Sequence, residues 1–266
     1  MSNLVDLHCH ILPGVDDGSP DLEHSLKLAY QAVADGVTHI LATPHHLDKN
    51  YVNHHKSVIK KTAEFQSALC ERKIPLKVFP GQEIHINGNL LSNYDDFLGT
   101  DIKKKYILLE LPHGDVPAYT DRIIFELRKR GTTPVIVHPE RNLKIQSDQN
   151  ILYDLVQKGA LAQLTATSYM GGFGEHVANI SKSLISHGLI HVVASDAHVL
   201  PGRNFVLRES INEITKEFGR QQSQFFKYNA ECLLNGIEIV RQPYSPIIKR
   251  KKRFYIWQIV KFKLNI

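Results

Sequence analysis

Residues 4–42, LVDLHCHILPGVDDGSPDLEHSLKLAYQAVADGVTHILA, carry the pattern that decides the fold. Leu4–Leu7 is a short apolar run of strand type. Ser19 and Pro20 then supply an N-cap and a proline at the first helical position. Leu22, Leu26, Ala29 and Val33 follow at helical spacing, and Gly36 stops the helix before a second strand at Val37–Ala42. A strand, a crossover helix and another strand imply parallel neighbours.

The same unit recurs outward from this stretch. A helix over Val58–Arg72 leads to a strand at Leu76–Phe79. Strands at Tyr106–Leu111, Pro134–Val137, Leu161–Ala166 and Ile190–Ala194 alternate with helices at Thr120–Arg130, Ile151–Lys158, His176–His187 and Asn204–Phe218. A last helix lies near Gln221–Tyr228. Seven such units predict an α/β fold of the (β/α)7, distorted TIM-like barrel type, for which 266 residues is an ordinary length. The alternative is an open doubly wound sheet.

Composition narrows the class. The three cysteines, Cys9, Cys70 and Cys232, are scattered and fit a reducing cytoplasm better than a disulfide framework. No basic-then-apolar leader opens the chain, and no apolar run is long enough to span a bilayer. The net charge of +5 equals that of Lys249–Arg253 alone, so the basicity belongs to a tail and does not point to a nucleic-acid partner. Two prolines in Gln242–Pro246 read as a linker. The expected organisation is therefore a catalytic domain over 1–241 and a linker with a basic, aromatic tail over 242–266. Such a tail is a candidate for peripheral contact with an anionic membrane surface.

The acids and histidines fall at one end of the strands. His8, His10, Asp16 and Asp17 follow the first strand, and His45-His46 the second. Glu83 and His85 follow the third, Glu110 ends the fourth, and His138 ends the fifth with Glu140 and Arg141 behind it. Asp196 and His198 follow the seventh. The sixth ends in Thr165, Thr167 and Ser168, which are polar but weak ligands. In a parallel barrel the C-terminal strand ends meet at one mouth, so these side chains should form one metal cluster. Imidazole with carboxylate suits manganese, iron or zinc. Paired ions lower the pKa of bound water and clamp phosphoryl oxygens, and the planar forks of Arg141 and Arg203 match a phosphate dianion.

These motifs resemble the polymerase-and-histidinol-phosphatase (PHP) domain. More narrowly, the chain is similar to the manganese-dependent protein-tyrosine phosphatases of Gram-positive capsule and exopolysaccharide operons. The resemblance rests on Asp6-Leu7-His8-Cys9-His10-Ile11-Leu12-Pro13, Val15-Asp16-Asp17-Gly18, Ala42-Thr43-Pro44-His45-His46 and Gly81-Gln82-Glu83-Ile84. It continues in Leu109-Glu110-Leu111-Pro112, Val137-His138-Pro139-Glu140-Arg141 and Ala194-Ser195-Asp196-Ala197-His198.

The resemblance implies three ions. The first would take His8, His10, Glu83 and Asp196. The second would take Glu83, Glu110 and His138, and the third Asp17, His45 and His198. Asp16, His46 and Glu140 would support these ligands from behind, while Arg141 and Arg203 would hold the phosphate. The implied substrate is a phosphotyrosine-containing tail on a bacterial tyrosine kinase that controls polysaccharide synthesis, reached from the cytoplasm or the inner face of the membrane. The alternatives are a small-molecule phosphatase, such as one acting on histidinol phosphate, and a non-catalytic PHP module. No cysteine opens a Cys-x5-Arg loop, and Cys9 is expected to face away from the metals.

Overall fold

The computed structural model describes residues 4–247. The basic run Lys249–Arg253 and the rest of the tail lie outside the described residues.

Among the described residues nine strands are all joined in parallel: β1 (Leu4–Cys9), β2 (Val37–Ala42), β3 (His45–His46), β4 (Lys77–Pro80), β5 (Glu83–His85), β6 (Tyr106–Glu110), β7 (Thr133–Val137), β8 (Leu161–Thr165) and β9 (Val192–Ala194). The helices are α1 (Leu22–Ala34), α2 (His55–Glu71), α3 (Thr120–Lys129), α4 (Leu143–Ser147), α5 (Asn150–Gln157), α6 (Ala166–Tyr169), α7 (Glu175–Ser186), α8 (Leu207–Phe218) and α9 (Arg220–Leu234).

The strands run β1-β2-β4 in one sheet and β3-β5-β6-β7-β8-β9 in the other. The break between the sheets is local. Thr43-Pro44 separates β2 from β3, and Gly81-Gln82 separates β4 from β5. Backbone bonds from Thr43 N to Cys9 O (3.0 Å), Gly81 N to Ala42 O (2.9 Å) and Glu83 N to Pro44 O (3.1 Å) carry the ladder across both interruptions. Pro44 can accept there but cannot donate. At Gly81 a Cβ would meet the Leu41 side chain at 2.7 Å, so only glycine allows the two staves to approach so closely. Nine strands therefore make the seven expected staves. The ring closes where Asp196 N bonds His8 O (2.8 Å) and His10 N bonds Ala197 O (3.1 Å).

Strand alternation divides the core. Leu7, Leu108, Val135, Val137, Leu161 and Val192 belong to one apolar cluster with Ala230, Cys232, Leu233 and Ile239 from α9 and the segment after it. Ile40, Ile107, Leu109, Ile136, Leu164 and Val193 belong to the other, with the surrounding helices. Most staves are thus apolar on both sides, as helix-covered parallel strands are, whereas β4 buries Val78 and leaves Lys77 and Phe79 exposed.

Local differences from the sequence expectation have physical causes. The α1 cap is Asp21, whose carboxylate accepts from His24 N at 2.9 Å, and the helix begins at Leu22. Ser19 is buried and its O accepts from Gly14 N (2.8 Å), so Ser19 and Pro20 belong to the preceding turn. The sixth expected strand stops at Thr165, and Ala166 opens the short helix α6, which carries Thr167 and Ser168. The segment expected as a linker is held to the barrel. Ser245 N bonds His187 O (3.0 Å), and Ile247 exchanges two bonds with the Asn150 side chain (2.8 and 3.0 Å).

His191, just before β9, shows what burial costs at the base of this ring. It is 2% exposed, its Nδ1 accepts from Ala162 N (3.1 Å), and burial with the nearby positive Arg241 pushes its pKa down to about 3. Because the folded value lies below the ordinary 6.5, the contribution of neutral His191 to stability is complete above about pH 6.5. It is lost as pH falls toward about 3, at up to about 1.4 kcal/mol per pH unit. Urea unfolding of wild type and His191→Asn at pH 7 and pH 4.5 should show the wild type losing more stability on acidification than the variant. Equal losses would rule out this role.

Candidate metal centre

Every candidate ligand is delivered by a strand end or the turn beyond it. His8 lies in β1 with His10 just past it, and Asp16 and Asp17 sit in the following turn. His45 is on β3, Glu83 on β5, Glu110 ends β6, His138 follows β7, and Asp196 and His198 follow β9. His138 (φ 35°) and Asp196 (φ 51°) are left-handed, a conformation non-glycine residues avoid at about 1–2 kcal/mol. Both leave their strands through this turn, where surrounding contacts must hold the strain.

The inner cluster has metal geometry. His8 Nε2 and His10 Nε2 are 3.2 Å apart. Each is 3.3 Å from Glu83 Oε2 and 3.5 Å from Asp196 Oδ1. A tetrahedron with bonds of about 2.1 Å has edges of about 3.4 Å. The other nitrogen of each ring is already engaged. His8 Nδ1 donates to Gln163 Oε1 (2.8 Å), and His10 Nδ1 donates to Asp16 Oδ2 (2.7 Å). In neutral rings these bonds leave the two Nε2 lone pairs facing each other, an arrangement that a cation between them relieves.

The remaining ligands surround this core. His138 Nε2 lies 2.7 Å from Glu83 Oε1 and 3.9 Å from Glu110 Oε1. Asp17 Oδ1 lies 3.4 Å from His45 Nε2 and 3.5 Å from His198 Nε2, and His198 Nδ1 donates to Asp196 O (3.0 Å). The nine expected ligands fall into four overlapping groups whose donor atoms lie within 4.8 Å of one another. His10 joins Asp17, His45 and His198 in the outermost of these. Glu83 Oε2 and His198 Nε2 are buried without a well-formed hydrogen bond among the described residues, as atoms built for a metal would be.

Charge in this pocket is tightly balanced. Burial opposes ionisation of Glu83, but His8 and His45 outweigh it and hold the carboxyl well below its usual range. Burial likewise opposes charge on His10 and His45, yet Asp16 lifts the first to about 9 and Glu83 lifts the second to about 12. A cation takes the place of those protons, so metal affinity and proton release are coupled.

The two arginines meet at Asp196. Arg141 Nη1 donates to Asp196 Oδ2, and Arg203 Nη2 donates to the same oxygen at 2.7 Å, leaving Oδ1 to the histidines. The mouth above them is a cavity of about 220 Å³ lined almost entirely by polar groups, with Asp48, Asn50 and Tyr51 on its rim. The Phe173 ring lies under the Arg141 guanidinium at 4.9 Å.

The expected supporting residues divide. Asp16 fixes His10 and also accepts from His45 N (3.2 Å) and Gly18 N (3.0 Å). Glu140 is fully buried behind His138 and accepts from Thr165 N (3.1 Å), so it braces the turn rather than bonding a ligand. His46 turns away, because neighbours on a strand face opposite sides. Its Nε2 is 3.7 Å from Asp96 and its ring packs edge-on against Phe97. Sequence reasoning missed Gln163 and Asp6. Asp6 is fully buried and accepts from Ser195 N (2.8 Å) and Ser195 Oγ (2.5 Å), tying β1 to the turn that carries Asp196. Burial pushes its carboxyl up to about 6 against those bonds. The available signal was a polar residue inside an apolar strand. Cys9 is fully buried with Sγ toward Ala197 O, away from the cluster, and burial raises its thiol well above the usual range.

Tyrosine-protein phosphatase YwqE of Bacillus subtilis (strain 168) is 41% identical over 249 residues, covering 93% of this chain and 98% of that protein. The putative tyrosine-protein phosphatase CapC of Staphylococcus aureus is 34% identical over 252 residues, covering 94% of this chain and 99% of that one. A solved structure from work on YwqE of Bacillus subtilis and CpsB of Streptococcus pneumoniae, described as unique metal-dependent tyrosine phosphatases, superposes with a TM-score of 0.89 at 40% identity. It covers 92% of this chain and 100% of that one. Histidinol phosphate phosphatase of Lactococcus lactis, at 12% identity and a TM-score of 0.52 over 82% of this chain and 94% of that one, shares the fold. The model of the family described as capsular polysaccharide synthesis, CpsB/CapC, matches residues 4–235, which span the whole barrel and every candidate ligand, and the chain belongs to that family.

Proposed function

We propose that this chain is a metal-dependent protein-tyrosine phosphatase that removes phosphate from the phosphotyrosine-containing tail of a tyrosine kinase in capsular or exopolysaccharide synthesis. The observation that carries the reading is the facing pair of His8 and His10 Nε2 atoms, 3.2 Å apart and closed by Glu83 and Asp196. The likeness in sequence and shape to tyrosine phosphatases over nearly the whole chain supports the substrate.

The donor set fits three divalent ions, with manganese proposed and iron and zinc sharing the same ligands. His8, His10, Glu83 and Asp196 would hold the first, Glu83, Glu110 and His138 the second, and Asp17, His45 and His198 the third. Bound there, the ions would supply Lewis acidity and water activation to phosphoester hydrolysis.

The chain's own groups do the rest. Gln163, Asp16 and the Asp196 carbonyl orient His8, His10 and His198. Arg141 and Arg203 stand at the mouth with their charges directed at Asp196, where an incoming phosphate dianion can share them. A phenolate is a good enough leaving group that a strong general acid is not required. The proposed catalytic unit is residues 1–241. The tail over 242–266 is proposed to bring the enzyme to the cytoplasmic face of an anionic membrane, where such a kinase tail would be presented.

Purified enzyme should contain bound metal, lose turnover of a phosphotyrosyl peptide on chelation and regain it with manganese. It should prefer that peptide to histidinol phosphate, and the opposite preference would overturn the substrate. His138→Ala should lower turnover more than about a hundredfold with the fold intact by circular dichroism. Arg141→Ala should cost about 1.5–3 kcal/mol in kcat/KM, on the order of 10–100-fold, with metal retained. Loss of metal from that variant would assign Arg141 to the metal site instead. Sedimentation with anionic liposomes should distinguish the full chain from one ending at Ile247, and equal partitioning would remove the tail from the proposal.

A further inference from the structure

Three residues at the rim form a donor group that the nine-ligand cluster does not explain. Asp48, His85 and Glu110 each present an atom within 4.8 Å of the other two. Glu110 is shared, and its oxygens divide. Oε1 turns inward, 3.9 Å from His138 Nε2, whereas Oε2 lies 2.8 Å from His85 Nδ1. Oε2 is also 3.8 Å from His45 Nδ1, so anything bound outside would be joined to the inner cluster through this carboxylate.

Asp48 is placed for the same role. It follows Leu47, whose φ of 60° is left-handed, and it stands on the wall of the mouth. Its Oδ1 accepts from Asn50 N at 2.7 Å, and its other oxygen makes no bond among the described residues. His85 is partly exposed, so an ion can reach the group from solvent.

We propose that Asp48, His85 and Glu110 form a further divalent-cation site, weaker than the inner cluster and bridged to it by Glu110. The 2.8 Å separation of His85 Nδ1 and Glu110 Oε2 is close to the about 3.0 Å edge of an octahedron with bonds of about 2.1 Å. One imidazole and two carboxylates suit manganese or zinc, and water completes the coordination. With three protein ligands on a partly exposed rim, this site fills after the inner ones. An ion there stands beside the path to Arg141 and Arg203 and adds positive charge where phosphate enters. The inference rests on the inner cluster holding metal and is independent of which phosphoester is cleaved.

Equilibrium dialysis against manganese chloride from micromolar to millimolar concentration, with elemental analysis, tests it on the full chain. Wild type, Asp48→Asn and His85→Asn are compared, with thermal unfolding to confirm that each is folded. Asn at position 85 can still donate to Glu110 from a position close to that of Nδ1. The expected result is equal metal content at low manganese and one fewer ion per chain in each variant at high manganese. Equal stoichiometry throughout would overturn the site. Loss of the inner ions from His85→Asn would also overturn it, because His85 would then serve only to orient Glu110. Stoichiometry is read without substrate, so absence of phosphotyrosine turnover would leave this result standing.

Discussion

The Glu83 carboxylate is the centre on which the rest of the site depends. It is 1% exposed, with His8, His10 and His45 around Oε2 and His138 on Oε1. A buried carboxylate without positive partners would cost several kcal/mol, so the strand ends must bring cationic groups or metal to it. Those four imidazoles come from three different staves, and Glu83 itself from a fourth. Register across the whole sheet is therefore a condition of the chemistry. Barrel closure between β1 and the turn after β9 adds Asp196 as the counterpart of Glu83, and Asp6 with Ser195 fastens that closure directly beneath.

The two carboxylates at the centre are handled differently. Glu83 meets only imidazoles, whose charge can give way to metal. Asp196 meets imidazoles on one oxygen and two permanently charged guanidinium groups on the other. Burial opposes charge on Asp196, but Arg141, His8 and Arg203 hold its carboxyl well below the usual range. The arginines thus connect the metal side of the site to its open side, and both functions run through one aspartate.

Much of this was legible in the sequence, because periodicity and position carry it. Apolar runs ending in His, Asp or Glu placed the acids and histidines at one mouth before any side-chain distance was known, and the family resemblance singled out nine of them as ligands. The cap of α1 was not legible, since Ser19 and Asp21 both carry a capping oxygen and only the turn closed by Gly14 and Ser19 selects between them. His46 was misplaced by adjacency, although strand alternation already puts it opposite His45. Gln163 and Asp6 stand out as polar residues in apolar strands, but what they bind was out of reach for a different reason. Their partners His8 and Ser195 lie 155 and 189 residues away, and nothing local announces such a pairing. The grip of both arginines on Asp196 depends in the same way on a left-handed backbone that sequence periodicity does not encode.

The position of Cys9 has a consequence for how such an enzyme can be silenced. Thiol phosphatases keep an exposed thiolate, which peroxide converts to sulfenic acid, so oxidants act on them as switches. Here the thiol between the two histidines is sealed from solvent and held in its protonated form. Peroxide finds no nucleophilic sulfur at the centre of this barrel. Removal of a bound metal, rather than oxidation of a thiol, is the chemistry that would disable a site built from these imidazoles and carboxylates.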